Sequence, residues 1–421
     1  MNKSILIITI LLLSSTLVFS QNTIYLKPTR IFDGEKVFEN YGVLVKNNII
    51  EQVGPYAEIE KKLSKDAATI ELKNCTLMPG LIEGHTHLFL HPYNETPWDD
   101  QVLREPSSYR TIRAAKHAER TLKAGFTTAR DLGTEGAGFD DVGLKMAINE
   151  GIILGPRLLI ATKALVATGS YAPKGFASGV SVPQGAEEAD GHDDLIKKVR
   201  NQIGHGADLI KVYADYRWGL RGETAPTFTL DELKLIVATA KSSGRPTVAH
   251  ASSAEGMRRA ILAGIETIEH GDNGTPEIWK MMVERNVYLC PTLAAGDALF
   301  QYSGWKKGID PEPEHLKQKK AKFKELLKSG VKILMGGDVG VFAHGDNARE
   351  IEMLVEYGMK PIEALKSATS NSADAFHIEK QVGRIQTGLL ADIVVVEGNP
   401  TENIKDVRNV KIVMKDGKVI E

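Results

Sequence analysis

His85 and His87, in Gly84-His85-Thr86-His87, stand two residues apart. Side chains alternate along an extended backbone, so both imidazoles point to one side and can chelate a metal ion from a single face. A turn carrying two histidines would have the same spelling. His250 closes the apolar run Thr247-Val248-Ala249, and His270 follows Ile268-Glu269. Each, taken alone, reads more often as a satisfied structural histidine than as a ligand. Asp338 ends Ile333-Leu334-Met335-Gly336-Gly337-Asp338, where glycines let the backbone approach a ligand closely. The same position would suit a helix N-cap. Lys211 lies inside Leu209-Ile210-Lys211-Val212-Tyr213, an otherwise apolar strand. A buried ammonium must lose its proton more easily or find a counter-charge, and Asp208 and Asp215 are the nearby candidates. Together the four histidines and the aspartate are residue types that hold divalent metal, and Lys211 stands among them. Imidazole nitrogen and carboxylate oxygen at about 2.0–2.2 Å suit zinc, and metal-assisted hydrolysis is the chemistry such a set supports.

The elements that must position these groups have a recurring rhythm. An amphipathic helix, a glycine-containing turn and a short apolar strand repeat through the middle of the chain, as in Leu122 to Ala129, Ile203 to Tyr213 and Leu262 to His270. Alternating strands and helices imply parallel βα units. Eight strands start near Leu77, Phe126, Arg157, Asp208, Pro246, Ile265, Val287 and Val331. Eight such units predict an α/β fold, a (β/α)8 TIM barrel, with an open doubly wound sheet as the rival. A barrel gathers its active site at the C-terminal strand ends, and those ends read His85-Thr86-His87, Asp131, Lys211, His250, His270 and Asp338.

Both termini read differently. Short strands and turns fill Thr23 to Leu77, and Asp392 to Val396 and Val410 to Met414 repeat the pattern before a Lys415-Asp416-Gly417-Lys418 hairpin turn. The expectation is a small β-sandwich domain built from residues 21–78 and 386–421, with the barrel at 79–385. Residues 1–20 have a lysine start, an apolar run and a small residue, Ser20, before Gln21. That is the layout of a cleavable signal peptide and predicts a secreted or periplasmic enzyme with no stable membrane partner after cleavage. An uncleaved anchor is the rival reading.

Composition narrows the function classes. Of 421 residues, 42% are hydrophobic and 25% charged, and 52 basic against 54 acidic side chains leave a net charge of -2. The makeup is globular, and without a basic excess no nucleic-acid partner is expected. Two cysteines are too few for a disulfide framework. Gly133, Gly136 and Gly138 miss the dinucleotide-binding spacing and read as a loop. The lysine-rich stretch His315 to Lys328 reads as the solvated face of an amphipathic helix. Residues 173–190 form a long loop, either a lid or a plain surface segment.

The pattern resembles the amidohydrolase superfamily, in particular its binuclear members of the imidazolonepropionase-like branch, which includes Xaa-Pro and Xaa-Arg/Lys dipeptidases. The stretch Thr76 to His87 resembles the family's entry into the barrel, and Gly383 to Asp392 its exit into the small β domain. The resemblance implies two divalent metal ions, zinc by preference, held by His85, His87, His250, His270 and Asp338. It implies a carbamylated Lys211 (N6-carboxylysine) as their bridge, and Asp338 as the catalytic acid–base. The implied reaction is hydrolysis of an amide bond in a small peptide-like or N-acyl amino acid substrate by a metal-bridging hydroxide. A mononuclear deaminase or cyclic-amide hydrolase of the same superfamily is the alternative, and a homo-oligomer is compatible with either. Branch members carry a histidine in a glycine-rich stretch after the third strand. Here Thr168-Gly169-Ser170-Tyr171-Ala172 places Tyr171 there, which makes it a substrate-binding candidate. Tyr213 shares the inward parity of Lys211 and could donate to the carbonyl oxygen. Arg217 could clamp a carboxylate, and His344, after Asp338, is the last substrate candidate.

Overall fold

The computed structural model describes residues 23–421 apart from Ser178. The expected leader therefore lies outside the described residues, and none of the described helices is long and apolar enough to cross a membrane.

Both chain ends build one eight-stranded sheet. Its order runs Lys418–Val419, Val410–Lys415, Ile393–Glu397, Ala68–Pro79, Thr23–Phe32, Tyr41–Lys46, Ile49–Pro55, with Val37–Glu39 paired to Thr23–Phe32. Alternate residues Leu26, Val43, Val45, Leu77, Ile393 and Val395 collect in one buried cluster, as period-two patterning requires. The Lys415-to-Lys418 hairpin forms as expected, because Asp416 (φ 49°) and Gly417 (φ 73°) supply the left-handed pair that a tight two-residue turn needs. Thr23–Phe32 and Ala68–Pro79 pair with each other in parallel across a register shift between Pro28 and Arg30, and each bonds a further strand on its other edge.

Between these ends the chain is mixed α/β with parallel strands. Leu81–Thr86, Phe126–Asp131 and Arg157–Ile160 form one parallel sheet. Glu187–Glu188, Leu165–Val166, Ile210–Tyr213, Thr247–Ala251, Thr267–His270 and Tyr288–Cys290 form another. The Asp208 amide donates to Ile160 O at 2.8 Å across the two sheets. The strand expected at Val331 is not a regular ladder; it touches its neighbours through the isolated parallel bridges Leu289–Ile333 and Thr86–Val339. Gly336, Gly337 and a left-handed Asp338 (φ 59°) interrupt the extended backbone there.

Helices cover these strands, and their ends follow from local chemistry. Thr229 and Glu232 form a reciprocal capping box on Leu230–Lys241. Ser253 caps Ala254–Ala263, which stops at Gly264 (φ 93°). Their apolar faces, Leu233 and Ile236 from one and Met257 and Ile261 from the other, are buried in the largest core cluster. Glu314–Ser329 is the expected lysine-rich helix and buries Leu316, Phe323 and Leu326. It is not wholly a solvated face, since Lys319 reaches inward to Asp272 at 2.7 Å. Arg157 ties the middle to the terminal sheet through Asp416 (2.6 Å) and Asp392 (3.5 Å).

Candidate metal centre

His85 is carried by Leu81–Thr86 and His87 follows that strand directly. Close backbone approach sets their positions. A Cβ on Gly336 would lie 2.7 Å from the His85 amide nitrogen and 2.4 Å from Cys290 Sγ, so only glycine fits. His85 Nδ1 meets Glu269 Oε2 at 2.9 Å, and His87 Nδ1 meets Gly133 O at 2.9 Å. Carbonyl and carboxylate oxygens only accept, so both rings carry a proton on Nδ1 and turn Nε2 the other way. Those two Nε2 atoms converge on one oxygen, Asp338 Oδ1, at 3.5 and 3.4 Å. The expectation of an N-cap at Asp338 is not met; its amide donates to His85 O, and the next helix begins at Ala348.

His270 joins from the next sheet. Its Nδ1 lies 2.7 Å from Thr292 Oγ1, and its ring stands 5.2 Å from His85 and 4.5 Å from His250. Donor atoms of His85, His270 and Asp338 all lie within 4.8 Å of one another. His270 (φ 76°) and Asp338 both hold left-handed backbone, which costs a non-glycine residue energy and is found where a site over-determines its geometry. Burial pushes the His85 imidazolium down to about 4 and that of His250 down to about 3, with Lys211 adding to both. The rings are therefore neutral near pH 7, the form that binds metal.

Lys211 is 1% exposed and has no carboxylate at ion-pair distance among the described residues. Its two expected partners are engaged elsewhere. Asp208 pairs with Lys145, and Asp215 accepts from the Ser252 and Ser253 amides. Burial lowers the Lys211 ammonium to about 8, opposed by the charges of Glu269 and Asp338. The six residues expected to converge thus lie in one region, with His85, His87 and Lys211 buried and His250, His270 and Asp338 half-buried.

The substrate candidates separate. Tyr213 stacks on His250 (4.6 Å, 15°), and Tyr171 packs against Tyr213 at 4.8 Å. Arg217 is exposed on the hairpin of Asp215–Arg217 with Thr224–Pro226. His344 is buried, its Nε2 lies 3.1 Å from Leu90 O, and its ring stacks on His117 at 4.3 Å, so its contacts are with the segment and helix behind the first strand.

Three buried acids escaped the sequence reading. Glu269 holds His85 and is itself held by Arg130 Nη2 at 2.8 Å and Thr267 Oγ1 at 2.6 Å. Burial alone would raise its carboxyl, yet Arg130 and His85 keep it far below the usual range. Glu83 accepts from the His85 and Gly337 amides and from Asn347, and burial raises it to about 7. Glu135 lies near His87 and accepts from two aromatic side chains. The signal for Glu269 was available: an acid in an apolar strand beside His270 asks the same question as Lys211. Cys290 shares a neighbourhood with His85 and Glu269, and burial raises its thiol well above the ordinary value.

Comparison with known proteins agrees with this geometry. Residues 76–420 match the amidohydrolase family. The chain is 30% identical to ochratoxinase of Aspergillus niger over 419 residues, covering 92% of this chain and 84% of that protein. It is 24% identical to imidazolonepropionase of Geobacillus thermodenitrificans, covering 91% of each. A crystal structure of a Xaa-Pro dipeptidase with methionine in the active site superposes with a TM-score of 0.83 at 32% identity, over 95% of this chain and all of that one.

Proposed function

Since the chain belongs to the amidohydrolase family and is a hydrolase acting on carbon–nitrogen bonds, we propose that it cleaves the amide bond of a small peptide-like or N-acyl amino acid substrate at a centre of two divalent ions. The donor set fits such a group: imidazoles with Nε2 turned inward, one carboxylate, and a buried lysine without a counter-ion among the described residues. His85, His87, His250, His270 and Asp338 would be ligands, zinc suits them, and Lys211 as a carbamate would be the anionic bridge. Bound ions of this kind polarise a carbonyl and bring the pKa of water from 15.7 to about 7. The parallel bridges from residues 331–339 to both sheets, with the Asp208–Ile160 bond, support a closed (β/α)8 barrel at 79–385, whose C-terminal strand ends carry this centre.

The chain's own residues then divide the work. Asp338 takes the proton of the attacking water at a carboxylate oxygen and passes it to the departing amine. Glu269 keeps the proton on His85 Nδ1, which fixes the ring for ligation. Tyr213, beside His250, is the donor for the carbonyl oxygen as negative charge grows there. Tyr171 backs Tyr213, and Arg217 on its exposed hairpin is placed to meet a substrate carboxylate. His344 acts on this reaction only through the packing behind the first strand.

The observation that carries the reading is the convergence of two strand-end histidines on a single oxygen of Asp338. A screen of dipeptides and N-acyl amino acids with varied C-terminal residues, run with and without chelator, tests it. Chelator-sensitive hydrolysis is expected, and Asp338→Asn should abolish it. The likeness to imidazolonepropionase favours the second reading, a mononuclear cyclic-amide hydrolase. Lys211 discriminates, because a single ion has no use for a bridging carbamate.

A further inference from the structure

Glu135 is 2% exposed and held in left-handed backbone (φ 49°). Arg110 fixes that backbone by donating to Thr134 O at 3.0 Å and Glu135 O at 2.8 Å. One carboxylate oxygen, Oε2, accepts from Trp98 Nε1 at 2.9 Å and from the Tyr171 hydroxyl at 2.6 Å. Sharing this one buried acceptor oxygen fixes the Trp98 and Tyr171 side chains relative to each other. Sterics add to the lock, since a Cβ on Gly185 would lie 2.4 Å from the Trp98 ring and 3.1 Å from that of Tyr171. The two rings meet edge to face at 5.0 Å, and Tyr171 continues to Tyr213 (4.8 Å) and Tyr216 (5.0 Å). Because Tyr213 stacks on His250, a continuous run of packed rings leads from the candidate metal centre through the buried Tyr213 and Tyr171 to the half-buried Trp98 and Tyr216. Trp218, two residues beyond the half-buried Tyr216, is exposed, and the loop after Tyr171 exposes Phe176 and Val180.

We propose that Glu135 is a positioning residue that holds Trp98 and Tyr171 as a rigid wall, and that this wall selects amides flanked by an aromatic or similarly planar apolar group. The inference rests on the amide-hydrolase reading and names the substrate class within it. Ring-on-ring packing and burial of a phenyl group together exceed about 1.4 kcal/mol, the equivalent of tenfold. A wall fixed before binding loses little of this to ordering.

The test compares Ala-Ala with Phe-Ala and Ala-Phe on the metal-loaded enzyme. The wild type is expected to favour at least one phenylalanine dipeptide by about tenfold or more in kcat/KM. Glu135→Ala should erase that preference through KM rather than kcat, with metal content at the wild-type level. Glu135→Gln, which keeps an acceptor oxygen, should restore much of it, and Tyr171→Phe, which keeps the ring and loses only the hydroxyl, should erase part; these two serve if Glu135→Ala does not fold. Equal use of the three dipeptides by the wild type, or a Glu135→Ala loss confined to kcat and metal content, overturns the proposal. Should the wild type hydrolyse none of them, the peptide-like substrate of the proposed function is what has failed. Calorimetric binding of the same dipeptides then decides the wall: preference for phenylalanine lost in Glu135→Ala supports it, and equal affinity overturns it.

Discussion

Replacing Glu269 with glutamine isolates the support beneath His85. The carboxylate takes three donors: Arg130 Nη2 and Thr267 Oγ1 on one oxygen and His85 Nδ1 on the other. Glutamine offers one acceptor oxygen and an NH2 that cannot accept. If the oxygen faces Arg130, the NH2 faces His85 and drives its proton to Nε2, the atom that must ligate metal. If the oxygen faces His85, the NH2 is set against Arg130 and Thr267. In either pose the charge opposing Arg130 is gone, in a pair with side chains 2% and 0% exposed. Breaking a buried pair from one side costs about 3–5 kcal/mol, a large share of the roughly 5–15 kcal/mol that keeps a domain folded. Losing the partner of a ligating histidine weakens metal binding about 10–100-fold. Guanidinium unfolding and a competitive metal titration measure the two effects separately. The pH dependence has a definite sign. Glu269 is held below its ordinary 4.5, so its contribution is present above that pH and fades as acid protonates it. The gap between wild type and variant should narrow below about pH 4.5. A Glu269→Gln protein within about 1 kcal/mol of wild type, with unchanged metal affinity, would refute the reasoning.

Further outcomes follow from the same packing. Gly336→Ala forces a methyl against Cys290 Sγ and the His85 amide. It should cost about 1–3 kcal/mol and lower both metal affinity and turnover, and an unchanged melting curve would count against the close-approach argument. Glu350, buried beneath the Leu293 and Ala294 amides, is raised by burial to about 8. It therefore stabilises the fold below its ordinary 4.5, and that contribution is lost as pH rises toward 8, at no more than about 1.4 kcal/mol per pH unit. Glu350→Gln should flatten the stability–pH curve across that window, as denaturant melts at stepped pH would show.

How far the sequence carried the structure differs by residue. His85, His87, His250, His270 and Asp338 stood out because each follows or closes an apolar run, and Lys211 because it interrupts one; in the structure Lys211 is the second residue of Ile210–Tyr213 rather than a strand end. Glu269 and Arg130 were not picked out, although both obey that rule; their partners lie on other strands, and pairing across a sheet is not written in spacing along the chain. The strand at Val331 read as regular because its apolar run is clear, yet Gly336 and Gly337 let the backbone leave the ladder. His344 shows the limit of proximity in sequence: six residues after Asp338, its ring packs on His117 of the Ser107–Lys123 helix. Alternation revealed the strands at both termini and that they would share one small domain, but not the order in which they pair.

Counting metal bound per chain after loading and removal of excess, in wild type and in Lys211→Ala, reaches the centre of the account most directly. Two equivalents in the wild type, falling to one or none in the variant together with hydrolysis, is the predicted result. One equivalent in the wild type, or a Lys211→Ala protein that keeps two ions and full activity, would contradict it.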